Sequence, residues 1–360
     1  MNLSKIEEIF NGEPKYRLAQ AKQAVFGDLI GGWEEAKGIP KNLREKLQKE
    51  CPLEIKAEVF ESSDKKTVKA LIALSDGKFI ETVLMRHGDR EREPAGIFSG
   101  NSFPEKIPAG SRKPSSGSRN TVCVSSLVGC PMGCKFCATG EMGFVRKLTA
   151  DEMIGQVLFF ARYLRKEKAR VGSIVFMGMG EPFLNYENVM EAVRVIQSPD
   201  GFGIGARHIS ISTCGIFDGI KKLSEEKLPV NLAISLHASN DKTRRELMPV
   251  AHAYPIKKLI EAVDEYIKKT NRKVMFEYLM ISGVNDKDEY AKELAELLKN
   301  KLCVANLIEY NPTGKFTASS HNRIRRFKEI LEKNGVTATV RFRFGQDIKG
   351  ACGQLAGKKG

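Results

Sequence analysis

Three cysteines lie within eight residues of one another, at Cys130, Cys134 and Cys137. Three thiolates so close along a chain can bind one metal centre, so their spacing predicts a metal site. Structural zinc and ordinary [4Fe–4S] clusters usually take four protein ligands. Three thiols therefore favour an iron–sulfur cluster with one iron left open to a ligand. The alternative is a zinc site that Cys123 or a histidine completes.

The other five of the eight cysteines fall in two kinds of surroundings. Cys352 lies in a glycine-flanked segment without apolar periodicity, which predicts an accessible thiol. Cys123 lies inside a predicted strand, where core packing is the alternative to a chemical role. Cys51, Cys214 and Cys303 are interpreted as packing residues.

The composition indicates a globular protein with a polyanionic partner. The 360 residues are 42% hydrophobic and 28% charged, which suits one large domain with an accessory, or two domains. The net charge of +14 favours a nucleic-acid partner, although a basic surface that aids solubility is the alternative. The first ten residues show no signal peptide, and no apolar run is long enough to span a bilayer. A cytoplasmic protein without membrane association is expected, in which cysteines stay reduced.

The first third of the chain divides into three stretches. Residues 1–52 contain short amphipathic helical patterns separated by Gly and Pro, and predict a helical accessory domain. Residues 53–86 alternate apolar and polar side chains around a Ser-Asp-Gly turn, which predicts a small β-meander. Residues 87–119 are rich in Gly, Pro, Ser and Arg. They predict a loop or linker, either an RNA-contacting arm or a solvated insertion.

From residue 120 to 350, apolar strands alternate with helical patterns, and residues 351–360 follow as a C-terminal segment. Thr149 and Glu152 form a capping-box pattern at the start of the first helix. Repeated strand–helix units predict a parallel sheet of the α/β class, either a barrel or part of one. Seven strands are predicted: TVCVSSL, SIVFMGM, RHISIST, VNLAISLHA, KVMFEYLMI, VANLIEY and TATVRFRF.

Polar residues and glycines gather where the predicted strands end. An α/β barrel builds its active site at the carboxyl ends of its strands. Each of these residues alone is weak evidence, because glycines often serve turns and a single His is more often structural. Their recurrence on successive strands predicts a binding site there. These strand-end residues are the stretch 176–182, Ser212 and Thr213, Ser235, Leu236 and His237, and Asn311 and Pro312.

Several longer stretches together resemble the RlmN/Cfr family of radical S-adenosylmethionine RNA methyltransferases. They are CVSSLVGCPMGCKFCATGEMGF, FMGMGEPFLN, ISISTCG, AISLHASNDKTRRELMPV, NLIEYNP and GQDIKGACGQLAG, and GMGEP looks more like RlmN than Cfr. The resemblance covers almost the whole chain outside the 87–119 insertion. It implies a partial (βα)6 TIM-like barrel with a small N-terminal helical plus β accessory domain.

The resemblance also implies roles for the cysteines. One [4Fe–4S] cluster per chain is held by Cys130, Cys134 and Cys137, and its open iron binds S-adenosylmethionine, of which each turnover uses two. One molecule methylates Cys352, and the second yields a 5′-deoxyadenosyl radical that takes a hydrogen from that methyl group. The methylene radical then adds to an adenine carbon. Cys123 resolves the adduct through a transient disulfide, with Glu81 as proton acceptor.

The resemblance implies that S-adenosylmethionine contacts seven of the strand-end residues: Gly180, Glu181, Ser212, Ser235, Leu236, His237 and Asn311. The implied substrates are an adenosine in the peptidyl-transferase centre of 23S rRNA, methylated at C2, and the adenosine 3′ of the anticodon in tRNA. A Cfr-like enzyme that attacks C8 and confers antibiotic resistance is the alternative within the family. A zinc-stabilised RNA-binding module is the alternative outside it. A monomer reduced by flavodoxin or ferredoxin is expected.

Overall fold

The computed structural model describes residues 3–87, 119–341 and 344–357. The predicted loop at 87–119 lies outside these ranges except for its two end residues. The N-terminal region contains α1 (Ser4–Ile9), α2 (Lys15–Lys22) and α3 (Lys41–Glu50), with a π turn at Gln23–Gly27 and a 3₁₀ turn at Trp33–Glu35. Trp33 is fully buried among these elements, and its indole Nε1 donates to the carbonyl of Cys51 at 2.7 Å.

The predicted meander consists of β1 (Ala57–Glu61), β2 (Thr67–Ala73) and β3 (Phe79–His87), paired antiparallel in chain order. The first strand begins at residue 57 and not at the predicted 53, because Leu53 is fully buried and its carbonyl accepts a hydrogen bond from Arg162. β3 also pairs antiparallel with β4 (Arg119–Cys123). The meander is therefore one edge of the sheet that forms the barrel.

A short antiparallel hairpin, β5 (Leu127–Gly129) and β6 (Phe144–Lys147), follows β4. The main sheet then continues in parallel, in chain order, from β4 through six further strands. They are β7 (Ser173–Phe176), β8 (Ile209–Thr213), β9 (Asn231–Ser235), β10 (Val274–Met280), β11 (Cys303–Glu309) and β12 (Ala338–Arg341). All seven predicted parallel strands exist, and the predicted α/β partial barrel is confirmed. β12 is a seventh parallel strand beyond the six that the family pattern implies.

The first predicted strand, TVCVSSL, is too long, because β4 ends at Cys123. Beyond that point the Ser125 hydroxyl donates to the carbonyl of Glu81 at 2.6 Å and accepts from the backbone N–H of Met179 at 2.8 Å. These bonds tie the end of β4 to the neighbouring segments on both sides. The chain then turns into the hairpin.

Helices alternate with the strands from residue 138 onward. They are α4 (Ala138–Glu141), α5 (Ala150–Arg165), α6 (Tyr186–Gln197), α7 (Phe217–Glu225), α8 (Asp241–Leu247), α9 (Ile256–Thr270), α10 (Asp288–Leu298) and α11 (His321–Lys333). The predicted capping box of α5 is confirmed: the Glu152 N–H donates to Thr149 Oγ1 at 3.2 Å, and the Thr149 N–H donates to Glu152 Oε2 at 2.9 Å. Within the described ranges, no helix is long and apolar enough to cross a bilayer.

Candidate active site

The three-cysteine loop runs from the end of β5 to the start of α4. The Cys130 N–H donates to the Gly143 carbonyl at 2.8 Å, which closes the loop at its base. Gly129 has φ +75°, and a Cβ there would lie 1.9 Å from that carbonyl oxygen, so only glycine fits. All three thiols are half-buried. The sequence therefore folds locally into a closed loop that holds the three thiols close enough to affect one another's pKa.

Burial and backbone donors act in opposite directions on these sulfurs. Burial, with a smaller contribution from neighbouring thiols, raises the pKa of Cys130 to about 12 and that of Cys134 and Cys137 above the usual thiol value. Backbone N–H groups of Met132 and Gly140 oppose the rise at Cys130 and Cys137 respectively, and so favour the thiolate form that binds metal. Hydrogen bonds to sulfur of this kind are characteristic of iron–sulfur ligands. The donor set fits a cluster bound through three cysteines.

A single metal ion would need a tighter arrangement of ligands. In the part of the chain that the structure describes, no three His, Cys, Asp or Glu side chains converge on one ion position. The three thiols influence one another's pKa but are not arranged as a mononuclear site. The fit of the loop to a cluster therefore rests on its donor set of three closely spaced cysteines.

The strand-end residues after β7 make close backbone contacts. Gly180 has φ +98°, and a Cβ there would lie 2.5 Å from the Cβ of Leu127. Glu181 is buried, and its carboxylate accepts from the N–H of Phe183 at 3.0 Å and of Cys214 at 2.7 Å. Burial raises its pKa, and these hydrogen bonds oppose the rise. The carboxylate thus joins the ends of β7 and β8, and contact with a cofactor amino group stays a prediction.

The ends of β8 and β9 bring two of the predicted residues together. The hydroxyls of Ser212 and Ser235 are 3.2 Å apart, and both residues are half-buried. Leu236 differs, because its side chain is fully buried in the core. Any contact of Leu236 with a small molecule would have to come from its backbone.

His237 is buried in the left-handed backbone conformation, with φ +57°. Its Nδ1 accepts from the N–H of Leu279 at 3.1 Å, and its ring packs edge-on against Phe136, with centroids 4.9 Å apart. Burial, with a smaller contribution from Arg244, lowers its pKa to about 3, so the imidazole is neutral at physiological pH. Because Phe136 lies between two of the loop cysteines, His237 supports the cysteine loop.

The segment after β12 brings Cys352 beside Cys123. Both line one cavity of about 530 Å3, counted with its open mouth, and Asn311 and Arg341 line it too. Cys352 is half-buried, and Asn311 Nδ2 donates to its carbonyl at 3.1 Å. Burial raises the pKa of Cys123 to about 12, Cys352 raises it further, and Arg341 lowers it. Two thiols, one guanidinium and an amide therefore share this cavity.

Glu81 lies on β3 below the same segment. It is only 4% exposed, so its carboxylate is buried. Its Oε1 pairs with the ammonium of Lys69 at 2.8 Å, and its Oε2 accepts from the N–H groups of Ala356 and Gly357. The structure brings Glu81 to the segment that carries Cys352, with both oxygens already hydrogen-bonded.

The sequence analysis missed two arginines. Arg244 is fully buried and donates to the carbonyls of Leu236, Tyr254 and Cys214, which fixes the segments after β8 and β9 and the turn before α9. Arg341 lies at the end of β12, inside the two-thiol cavity. Both fall in or next to stretches that carry the family resemblance, and that position is the one signal that could have pointed to them.

Comparison with known proteins agrees with this site. The Radical SAM superfamily profile matches residues 124–298. The "Probable dual-specificity RNA methyltransferase RlmN" of Dictyoglomus turgidum is 41% identical over 346 residues, covering 96% of this chain and 91% of that protein. The "Ribosomal RNA large subunit methyltransferase N" of Nitrosopumilus maritimus is 41% identical over 350 residues, covering 96% of this chain and 93% of that protein. A crystal structure of a radical SAM methyltransferase from Sphaerobacter thermophilus has a TM-score of 0.87 and 41% identity, covering 99% and 98%.

The partial barrel and its three-cysteine loop define a radical S-adenosylmethionine enzyme, a class that carries a [4Fe–4S] cluster and uses S-adenosylmethionine. Within that class, the chain belongs to the RlmN family of RNA methyltransferases. It is therefore an RNA-methylating enzyme. The alternative of a zinc-stabilised RNA-binding module is wrong.

Proposed function

We propose that the enzyme methylates C2 of an adenosine in the peptidyl-transferase centre of 23S rRNA and of the adenosine 3′ of the anticodon in tRNA. The name "dual-specificity" of its relatives and its net charge of +14 support an RNA substrate of either kind. The observation that carries the proposal is the cavity that Cys123 and Cys352 share. A methyl group carried by the Cys352 sulfur and the resolving thiol of Cys123 would then act in one cavity.

The five cysteines of the site have different proposed roles. When bound, one cluster on Cys130, Cys134 and Cys137 and two S-adenosylmethionine molecules per turnover supply the methyl group and a hydrogen-abstracting radical. Cys352 carries the methyl carbon to the adenine ring, with its backbone held by Asn311. In the resolving step the Cys123 thiolate bonds to the Cys352 sulfur and the bond from that sulfur to the transferred carbon breaks. The electron pair of the broken bond stays with the carbon, which takes up a proton to become the methyl group. The Cys123–Cys352 disulfide that results is then reduced by two external thiols through thiol–disulfide exchange.

The strand-end polar groups are the proposed contacts of S-adenosylmethionine. The paired hydroxyls of Ser212 and Ser235 and the amide of Asn311 are suited to ribose or carboxylate hydrogen bonds. The backbone around these groups is shaped by Gly180, Leu236 and His237. The carboxylate of Glu181 offers the negative charge that suits the amino group of S-adenosylmethionine.

Glu81 is the proposed proton acceptor from the adenine carbon. Its Oε2 accepts from Ala356 and Gly357, and its Oε1 pairs with Lys69. To accept a proton from substrate, the carboxylate has to exchange the two backbone donors for the base. The proposal therefore requires the segment around Cys352 to shift during the reaction.

The remaining assignments concern the whole protein. We propose that residues 1–52 are an RNA-binding accessory domain, that 53–86 complete the sheet edge, and that 120–350 form the catalytic barrel. The C-terminal segment 351–360 presents Cys352. The enzyme acts as a monomer in the cytoplasm and takes electrons from a flavodoxin or ferredoxin.

The test is the position of the methyl group. The chain is expressed in a host that lacks its own adenosine-C2 methyltransferase, and 23S rRNA and tRNA are digested separately to nucleosides for mass spectrometry. We expect 2-methyladenosine in both. The Cys352→Ala variant should give none and yet keep the brown colour and roughly four irons per chain of a [4Fe–4S] protein. If 8-methyladenosine alone appeared, the C2 assignment would be wrong and the Cfr-like reaction would replace it.

A further inference from the structure

The three-cysteine loop and the segment that carries Cys352 are in direct contact. The N–H of Ala138, which follows the last loop cysteine, donates to the Gly353 carbonyl at 2.7 Å. Gly353 has φ +84°, and a Cβ there would lie 3.1 Å from the Phe136 carbonyl oxygen. The two segments thus approach closely enough that a side chain on Gly353 would strain the contact.

Thr139 makes the side-chain contact between them. It is buried, and its hydroxyl donates to the Leu355 carbonyl at 2.6 Å. The same hydroxyl also lies near the sulfur of Cys137 and lowers the pKa of that thiol. A hydroxyl has one proton to donate. In this structure it goes to the segment that carries Cys352.

Other anchors hold that segment from different sides. Asn311 donates to the Cys352 carbonyl, and Glu81 accepts from the N–H groups of Ala356 and Gly357. These bonds come from the end of β11 and from β3. Thr139 alone among the side chains named here reaches the segment from the loop that holds the cluster ligands.

We propose that Thr139 is a positioning residue that docks the segment 352–357 onto the three-cysteine loop. Through it, the methyl group on Cys352 is held where the radical forms and cannot drift away between cofactor cleavage and hydrogen transfer. This inference rests on the proposed function and adds a residue to it. The hydroxyl acts through Leu355 and the segment, not on the substrate.

The test compares Thr139→Val, which keeps the shape and removes the hydroxyl, with Thr139→Ser, which keeps the hydroxyl. Thr270→Val is the matched control, because that threonine also donates to a backbone carbonyl, of Tyr266 at 2.7 Å, on a distant helix. All are purified anaerobically with the cluster in place. Hydrogen exchange of the peptide covering 351–357 is followed by mass spectrometry. Thr139→Val should exchange on the order of tenfold faster, because one buried hydrogen bond is lost, while Thr139→Ser and Thr270→Val stay near wild type.

The second readout is the amount of 5′-deoxyadenosine released for each methylated adenosine formed. A general loss of structure lowers the yield of both products together. A misplaced methyl group instead lets cleavage of S-adenosylmethionine continue without transfer of the methyl carbon to adenosine. We therefore expect the ratio to rise severalfold in Thr139→Val and to recover in Thr139→Ser. If Thr139→Val loses its cluster, Gly353→Ala tests the same contact from the other side and should raise both the exchange rate and the ratio.

The outcomes separate this inference from the proposed function. Unchanged exchange in Thr139→Val would overturn it, and so would faster exchange with an unchanged product ratio. A wild-type chain that forms no methylated adenosine would refute the proposed function, while hydrogen exchange would still decide whether Thr139 docks the segment.

Discussion

The ionisation of Cys123 gives the sharpest quantitative prediction. Burial raises its pKa from 9.0 to about 12, and Cys352 adds to the rise. A difference of about three pH units lowers the thiolate fraction at neutral pH about a thousandfold. Since the thiolate is the reactive form, Cys123 should be alkylated by iodoacetamide about a thousandfold more slowly than an exposed cysteine of ordinary pKa.

Limited access also slows alkylation, so the pH profile and not the rate itself is decisive. The cluster-loaded protein is labelled anaerobically between about pH 8 and pH 10.5, and each cysteine is quantified by peptide mass spectrometry. Poor access lowers the rate equally at every pH, whereas a raised pKa makes the rate climb about tenfold per pH unit across the whole range. A plateau near pH 9 would show that Cys123 ionises as a free thiol, and the reasoning from burial would fail.

Three further predictions concern the side chains of Arg341 and Arg244 and the backbone at Gly178. Arg341→Met removes the positive charge that lowers the pKa of Cys123, so alkylation of that thiol should slow further at each pH without change of slope. Arg244→Lys cannot serve the three carbonyls that the guanidinium binds, and we expect a loss of roughly 3 kcal/mol in urea unfolding of the cluster-free chain. Gly178→Ala places a Cβ 2.6 Å from a serine hydroxyl oxygen in the turn after β4, costing about 1–3 kcal/mol in the same assay. Gly38→Ala, with its nearest atom at 3.8 Å, should stay within about 0.5 kcal/mol of wild type; equal losses at both glycines would contradict the steric argument.

Local patterns predicted most of the fold. The capping box at Thr149 and Glu152 involves residues three apart, so the sequence alone contains the whole interaction. The seven parallel strands were visible as apolar runs because both of their faces are covered. Strand ends were less predictable. β4 stops at Cys123 because the hydroxyl of Ser125 bonds to Glu81 and Met179, which are distant in sequence.

The surroundings of the site residues were not predictable from the sequence. On β3 the alternation of side chains puts Glu81 on the same face as Phe79, Val83 and Met85, but this pattern does not reveal what the carboxylate pairs with. Its burial comes from Ala356 and Gly357, about 275 positions further along the chain, and from Lys69 on the next strand. No pattern within a strand records such a partner. The partner of Glu181 was equally unpredictable, because its carboxylate accepts from the backbone N–H of Cys214, just past the end of β8.

The anchors of the C-terminal segment share one property that bears on the reaction. The Thr139 hydroxyl, the Asn311 amide and the Glu81 carboxylate each bond to backbone atoms of residues 352–357, not to side chains. The side chain of Cys352 is thereby left to face the cavity that it shares with Cys123. Cys352 also raises the pKa of Cys137 in the three-cysteine loop, so it lies within electrostatic reach of both thiol groups. Two side chains of the segment are fixed as well, because Leu355 is buried in the core and Gln354 Nε2 donates to the Pro312 carbonyl. The proposed movement of Cys352 between the two thiol groups would therefore have to break side-chain contacts in addition to these backbone bonds.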